Sequence, residues 1–258
     1  MPRLTPALTR SFDLLELLLA SDVGLTSGDL VRATGLPRTT VHELLNTMLE
    51  RGYVARHDIS GLYVLGPMLF RLGLRVEGRF ELKEVAQRYC QLVSDRCDET
   101  VSFAVLHADE VVYLARAETQ HAVRLTARVG GSLPANCTAP GKALLAYHQR
   151  ELDEMTRRPM RASTSRSITD PDALNREVER IREAGFSLDE GEAHDNVIAV
   201  AAPVFDNRGE AVGALSISIP DIRWRLRTAE GWIDIVRDGA LQMTAELGGR
   251  TPAGTHRQ

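Results

Sequence analysis

One stretch constrains this chain more than any other. Gly35-Leu36-Pro37 separates two helical patterns and is followed, after Gly52, by two short apolar runs around a turn. Thr26 or Ser27 can cap the first helix, Gly28 to Thr34, which ends at Gly35, where a left-handed residue closes helices best. Pro37 suits entry into the second helix, about Arg38 to Arg51, because its missing N–H is not needed there. Val41, Leu44, Leu45, Met48 and Leu49 recur on one side of that helix, the stripe of an amphipathic element. Arg38, Thr39, His42, Glu43, Asn46 and Thr47 lie on the other. Tyr53 to Ala55 and Leu62 to Leu65 then flank a hairpin tip, His57 to Gly61.

Helix, turn, helix and hairpin in that order form a winged helix-turn-helix pattern. A major groove about 12 Å wide admits one helix, whose N-terminal side chains must reach base edges. Arg38, Thr39, Thr40, His42 and Glu43 are short or polar as that task requires, with Thr26 and Ser27 on the preceding helix and Arg56 and His57 on the hairpin as further contacts to double-stranded DNA. Charge gives no support. The whole chain carries a formal −4, and residues 1–66 hold six arginines against seven acids. Binding must then depend on a few well-placed arginines, with little non-specific affinity.

The length of 258 residues allows one large or two small domains. No apolar run reaches the ~18 residues of a membrane span. Leu14 to Ala20 is interrupted by Glu16 and lacks the basic flank and cleavage site of a secretory signal. Cys90, Cys97 and Cys137 form no CxxC pair, which argues against a disulfide framework or zinc knuckle. The expectation is a cytoplasmic protein with no metal, no cofactor and no membrane partner.

Other segments divide as follows. Ala7 to Ala20 reads as a first helix buried on nearly all sides by Leu14, Leu15, Leu17, Leu18, Leu19 and Phe12. Residues 4–66 make the reader, 67–79 a linker helix, 80–250 a second domain and 251–258 a disordered tail. In that second domain, Phe80 to Arg96, Thr138 to His148, Asp170 to Ala184 and Arg223 to Leu247 read as helices. Thr100 to Leu106, Val111 to Arg116, Val123 to Val129, Val197 to Phe205 and Ala211 to Ile219 read as strands. The class is α+β.

Period-2 reading of the last two strands puts Val212, Ala214, Ser216 and Ser218 on one face, beside Val197, Ala199, Ala201 and Pro203. Leu215, Ile217 and Ile219 make the opposite, core face. Small residues with two hydroxyls leave room for a small ligand. Asn136-Cys137-Thr138 leads into a helix containing Gly141, whose N-terminal N–H groups could meet a carboxylate. Asp189 is a further polar candidate.

These residues together resemble the IclR family of bacterial transcription regulators. "GLPRTTVHELLNTMLERGYV" (35–54) is similar to that family's Gly-Leu-Pro-Lys-Ser-Thr-Val-His-Arg-Leu-Leu recognition region, with Arg38 and Thr39 replacing Lys and Ser and Glu43 where a basic residue is common. "LPANCTAPGKALLA", "DEGE", "VIAVAAPVFD" and "GALSISIP" resemble its later motifs. The resemblance spans about Leu4 to Leu247. It implies a C-terminal α/β, GAF-like domain on a mainly antiparallel sheet that binds a small organic effector, commonly a carboxylate or aromatic acid. Asp189, Ser216 and Ser218 match its pocket positions, and Asn136, Cys137, Thr138, Gly141 and Ala199 fall in the same motifs. Asn136 replaces the usual His and Ala199 the usual Cys. It further implies a repressor-type regulator, a homodimer or dimer of dimers on a near-palindromic operator.

Two rival readings are weaker. A nucleophile at Cys137 beside Lys142 would need a base from His107, His121 or His148, and no spacing places one. Cys90 and Cys97 are seven residues apart on one helix, about 10 Å along its axis, too far to bridge.

Overall fold

The first helix, α1 (Pro6–Leu19), starts on a proline and turns only one side to the core. Leu14 and Leu18 are buried, whereas Phe12 is 52 % exposed and Leu8 and Leu19 are more so. This corrects the expectation of a helix buried on nearly all sides. In a three-helix unit a helix meets neighbours on one side only.

Helix α2 (Ser27–Thr34) is opened by Thr26, whose hydroxyl accepts from Asp29 N while Asp29 accepts from Thr26 N, a reciprocal cap. Gly35 closes it with φ +66°. Helix α3 (Arg38–Glu50) buries Val41, Leu45 and Met48. Strands β1 (Val54–Arg56) and β2 (Tyr63–Leu65) pair antiparallel, with Leu25 bridging to Tyr63. These elements share one core of Leu14, Leu18, Leu30, Val41, Leu45, Met48, Val54 and Tyr63. Helix α4 (Pro67–Gly73) follows the hairpin.

In this computed structural model residues 4–57, 59–73, 79–121 and 128–250 are described. The chain divides into two units between Phe80 and Glu81. The expected strand Val123 to Val129 lies outside the described residues except for its last two positions, and the expected tail 251–258 lies outside altogether.

The second unit is built on a six-stranded sheet in the order β5-β4-β3-β8-β7-β6, every pair antiparallel. Its strands are β3 (Thr100–His107), β4 (Glu110–Ala117), β5 (Ser132–Pro134), β6 (Ser187–Glu190), β7 (Val197–Phe205) and β8 (Ala211–Pro220). On one face Val101, Phe103, Val200, Leu215, Ile217 and Ile219 pack with Cys90 and Val93 of α5 (Arg79–Cys97) and Trp232 and Val236 of α10 (Ala229–Glu246). Removing so much apolar surface from water, at ~25 cal/mol per Å², is the main stabilising term here. The other face carries Ala104, Tyr113, Ala199, Ala201 and Ala214. It is covered by α6 (Ala139–Leu145), α7 (Gln149–Thr156) and α8 (Pro171–Ala184).

Four details depart from the sequence reading. The helix expected over Thr138 to His148 stops at Leu145, and a separate α7 follows. The closing helix is broken into α9 (Asp221–Trp224) and α10, because the Thr228 hydroxyl accepts from Gly231 N and starts a new helix. Short strands β5 and β6 join the sheet edges. Val212 packs on the apolar face instead of beside Ser216 and Ser218, because the β7–β8 register shifts at Val204/Phe205. Within that irregularity Gly213 is obligatory: a Cβ there would meet the Phe103 ring at 2.1 Å.

Candidate functional site

Helix α3 opens at Pro37 with no side-chain cap. Its first N–H groups and the positive end of its dipole are therefore open to an anion such as phosphate. Arg38, Thr39 and Glu43 are exposed and Thr40 and His42 half-buried. Their side chains make no hydrogen bond or ion pair within the described residues. The other expected contacts are already engaged. Thr26 spends its oxygen on the α2 cap. Ser27 is half-buried. Arg56 Nε donates to Gly61 O at 3.1 Å and its guanidinium lies 5.5 Å from the centre of the Tyr63 ring. His57 Nδ1 accepts from Ser60 N. The hairpin pair thus holds its own shape and keeps only its outer N–H groups for a backbone contact.

In the second unit the register places polar side chains in rows across the helix-covered face. Asp189, Ala199, Ser218 and Thr100 stand side by side on β6, β7, β8 and β3. One step along, Ser187, Ala201, Ser216 and Ser102 do the same. Ser216 Oγ donates to Ser102 O at 3.2 Å, and Ser187 Oγ donates to Ala139 O at 2.5 Å. The Thr100 hydroxyl is fully buried and has no partner among the described residues. A buried unsatisfied hydroxyl costs about 1–3 kcal/mol, so this one requires an explanation.

Asp189 Oδ1 accepts from Glu192 N at 2.6 Å and from Ala193 N at 3.3 Å. Burial nonetheless pushes its carboxyl up to about 7, with the Glu192 charge adding to the rise and Lys142 opposing it. Near neutral pH it can donate a proton as well as accept one. Lys142, itself buried, pairs with Glu192 and lies 3.6 Å from Glu177. This ion cluster ties α6 and α8 to the turn that holds Asp189.

The segment leading into α6 is structural in character. Asn136 Nδ2 donates to Arg161 O at 2.9 Å and to Ile168 O at 2.7 Å. Cys137 Sγ lies 3.4 Å from Ser163 Oγ, and burial raises its thiol, which makes it a poor nucleophile. Thr138 caps Gly141 N. Gly141 has no room for a side chain: a Cβ would sit 2.3 Å from Ala135 O. The N–H groups expected to meet a carboxylate are thus occupied or shut in by packing. Cys90 and Cys97 are free, buried thiols with raised pKa values. Among the described residues no three His, Cys, Asp or Glu side chains converge as a metal site.

Residues 7–58 match the IclR helix-turn-helix domain and residues 75–245 match the bacterial transcriptional regulator IclR C-terminal domain. The chain belongs to the IclR family. Like the relatives named below, it is a DNA-binding transcription regulator and not an enzyme. It is 31 % identical to the probable transcriptional regulator SauR of Cupriavidus necator over 92 % of this chain and 95 % of that one. It is 32 % identical to the regulator BhcR of Paracoccus denitrificans over 96 % and 89 %. An IclR homolog from Microbacterium hydrocarbonoxydans complexed with 4-hydroxybenzoate superposes with a TM-score of 0.82 at 29 % identity, covering 93 % of this chain and 98 % of that one. The Thermotoga maritima IclR superposes at 0.71 and 25 % identity, with 93 % and 98 % covered.

Of the positions matched to the family's motifs, Asp189, Ala199, Ser216 and Ser218 share one sheet face, whereas Asn136 turns its amide to the 161–168 loop. Thr100, Tyr113 and Arg116 face the same side and were missed from sequence. Their signal was weak. Thr100 opens a strand whose partner is 118 positions away in sequence, and a bulge hides Arg116.

Proposed function

We propose that this IclR-family regulator binds a small organic acid on the Asp189–Ser218 face of its second unit, and that binding changes the affinity of α3 for a near-palindromic operator. The observation carrying this reading is the row Asp189, Ala199, Ser218, Thr100: a raised carboxyl and two hydroxyls around an alanine, beneath helices. Polar groups are not kept at such depth for packing alone. The 4-hydroxybenzoate held by the Microbacterium relative supports the ligand class. Coupling follows from linkage: a ligand that prefers one of two states shifts the population toward it.

In this reading residues 4–66 are the reader, 67–79 the linker helix and 80–250 the sensor, working in the cytoplasm as a homodimer or dimer of dimers. Leu4, Leu8, Phe12 and Leu19 support self-association. They recur at helical spacing along or just before α1, each more than half exposed, a stripe that a second copy can cover. Palindromic half-sites would mirror that symmetry.

Thermal melts of the full chain with carboxylates, aromatic acids and sugar acids test the ligand. A true effector at 100 times its Kd adds about 2.7 kcal/mol, a rise of about 5–10 °C for a unit of this size. A rise that persists in a Ser216→Ala, Ser218→Ala double variant would place the ligand elsewhere.

A further inference from the structure

We propose that the Thr100 hydroxyl is a ligand-binding group: with Ser218 it grips the effector's carboxylate at the β3 end of the sheet face, and the effector carries a hydrogen-bond donor at its other end. The inference rests on that face being the effector site.

Thr100 is 1 % exposed, and its hydroxyl has no hydrogen-bond partner among the described residues. It stands directly opposite Ser218 across the β3–β8 ladder, a pairing that brings the two Cα atoms within about 5.5 Å. Thr and Ser placed in this way commonly bond each other. Here they do not, and half-buried Ser218 makes no side-chain hydrogen bond of its own among the described residues. Two adjacent O–H donors on one face match the two oxygens of a carboxylate. Val has the shape of Thr and suits a strand as well, so packing gives no reason for an oxygen at this depth.

The neighbours of Thr100 hold it in place. Glu99 is buried and accepts from both Nε and Nη2 of Arg223 on α9. The Ser94 hydroxyl of α5 donates to Glu99 O at 2.8 Å. Val101 packs in the apolar core. With both neighbours fixed, alternation keeps Thr100 on the helix-covered face beside Ser218.

The other end of the row is built differently. Asp189 lies three strand spacings from Thr100, about 14 Å, and only Ala199 separates it from Ser218. Glu192, whose N donates to Asp189 Oδ1 at 2.6 Å, brings a second carboxyl. Its Oε2 is also buried without a hydrogen-bond partner among the described residues. Lys142 does not open that end to an anion, because Glu192 Oε1 and Glu177 already share it. A carboxylate placed there would meet like charge, whereas an O–H or N–H would give those oxygens a donor. The acid end of the ligand therefore goes to Thr100 and Ser218, its donor goes to Asp189 and Glu192, and its apolar body crosses Ala199.

Thermal melts and calorimetry on the full chain test this, with 4-hydroxybenzoate, its carboxyl-free analogue 4-methylphenol, and pyruvate as probes. Wild type should bind at least one of the two acids. Thr100→Val should weaken that acid about 10- to 100-fold, whereas Thr100→Ser, which keeps the hydroxyl, should stay within about threefold. Without ligand, Thr100→Val should melt at or above the wild-type temperature, by up to about 4 °C, since it removes a hydroxyl that nothing satisfies. A Thr100→Val protein that melts lower or fails to fold overturns the inference, because the hydroxyl then makes a structural bond. Equal weakening of 4-hydroxybenzoate and 4-methylphenol overturns it too, since the hydroxyl then does not meet the carboxylate. Acid affinity unchanged in Thr100→Val but reduced in Ser218→Ala overturns it while leaving the pocket standing. Acid affinity unchanged in both variants, or wild type that binds neither acid, contradicts the pocket and this inference together.

Discussion

Helix α3 and the β6–β7–β8–β3 face handle polar side chains in opposite ways. Arg38, Thr39 and Glu43 stand in solvent with no partner among the described residues and cost the fold almost nothing. Asp189, Thr100 and Ser216 are buried, and at Thr100 no bond among the described residues compensates. The difference follows from what each region reads. A duplex is large and comes to the surface, so the reader needs reach and an uncapped helix end. In the proposed reading a small acid must be surrounded and stripped of water, which would account for polar groups kept inside the second unit at some expense of stability.

Substitutions that exchange these two behaviours break the comparison, and the largest effect should come from Asp189. Burial holds its folded value at about 7, above the ordinary carboxyl value of 3.8, so the stability it lends is present below about pH 4 and lost as pH rises through 7. Asp189→Asn keeps an acceptor for Glu192 N and Ala193 N but does not titrate. Relative to wild type it should gain about 4 kcal/mol between pH 4 and pH 8, read from denaturant melts at each pH. Parallel pH curves would show that Asp189 is ionised and solvated. Next is Gly141→Ala, whose Cβ would collide with Ala135 O at 2.3 Å. It should cost the sensor about 1–3 kcal/mol and abolish the acid-induced rise in melting temperature. A variant that melts and responds like wild type would show that the α6 approach is loose.

In the reader the effects should be smaller and of another kind. Arg38→Ala should weaken operator binding by about 1–3 kcal/mol if it contacts a base, with no change in melting temperature. Unchanged affinity and sequence preference would remove it from the interface. Thr26→Ala should do the reverse, lowering stability by about 1 kcal/mol through the lost cap while base preference holds. Altered base preference would make Thr26 a contact after all.

Legibility from sequence followed the same divide. The helix-turn-helix could be read because its signals are local: Gly35 at φ +66°, Pro37, and a stripe within thirteen residues. Ser216, Ser218 and Ala199 were legible because strict alternation holds along β7 and β8 until Val204. Arg116 and Val212 were not. Each follows a register shift, and a single bulge reverses the face of every residue beyond it. Phe12 misled for a different reason. An apolar residue on a helix reads as core from sequence, and the solvent-facing side of α1 becomes visible only once its neighbours are in place.

The most direct measurement joins the two regions. An operator selected from random duplex DNA is titrated with the full chain by fluorescence anisotropy, with and without a saturating acid that stabilises the protein thermally. The account predicts a change in DNA affinity of about 5- to 150-fold, abolished in the Ser216→Ala, Ser218→Ala variant with its acid-free DNA affinity intact. An identical DNA affinity with and without the acid, or a double variant that has lost DNA binding in its absence, would contradict it.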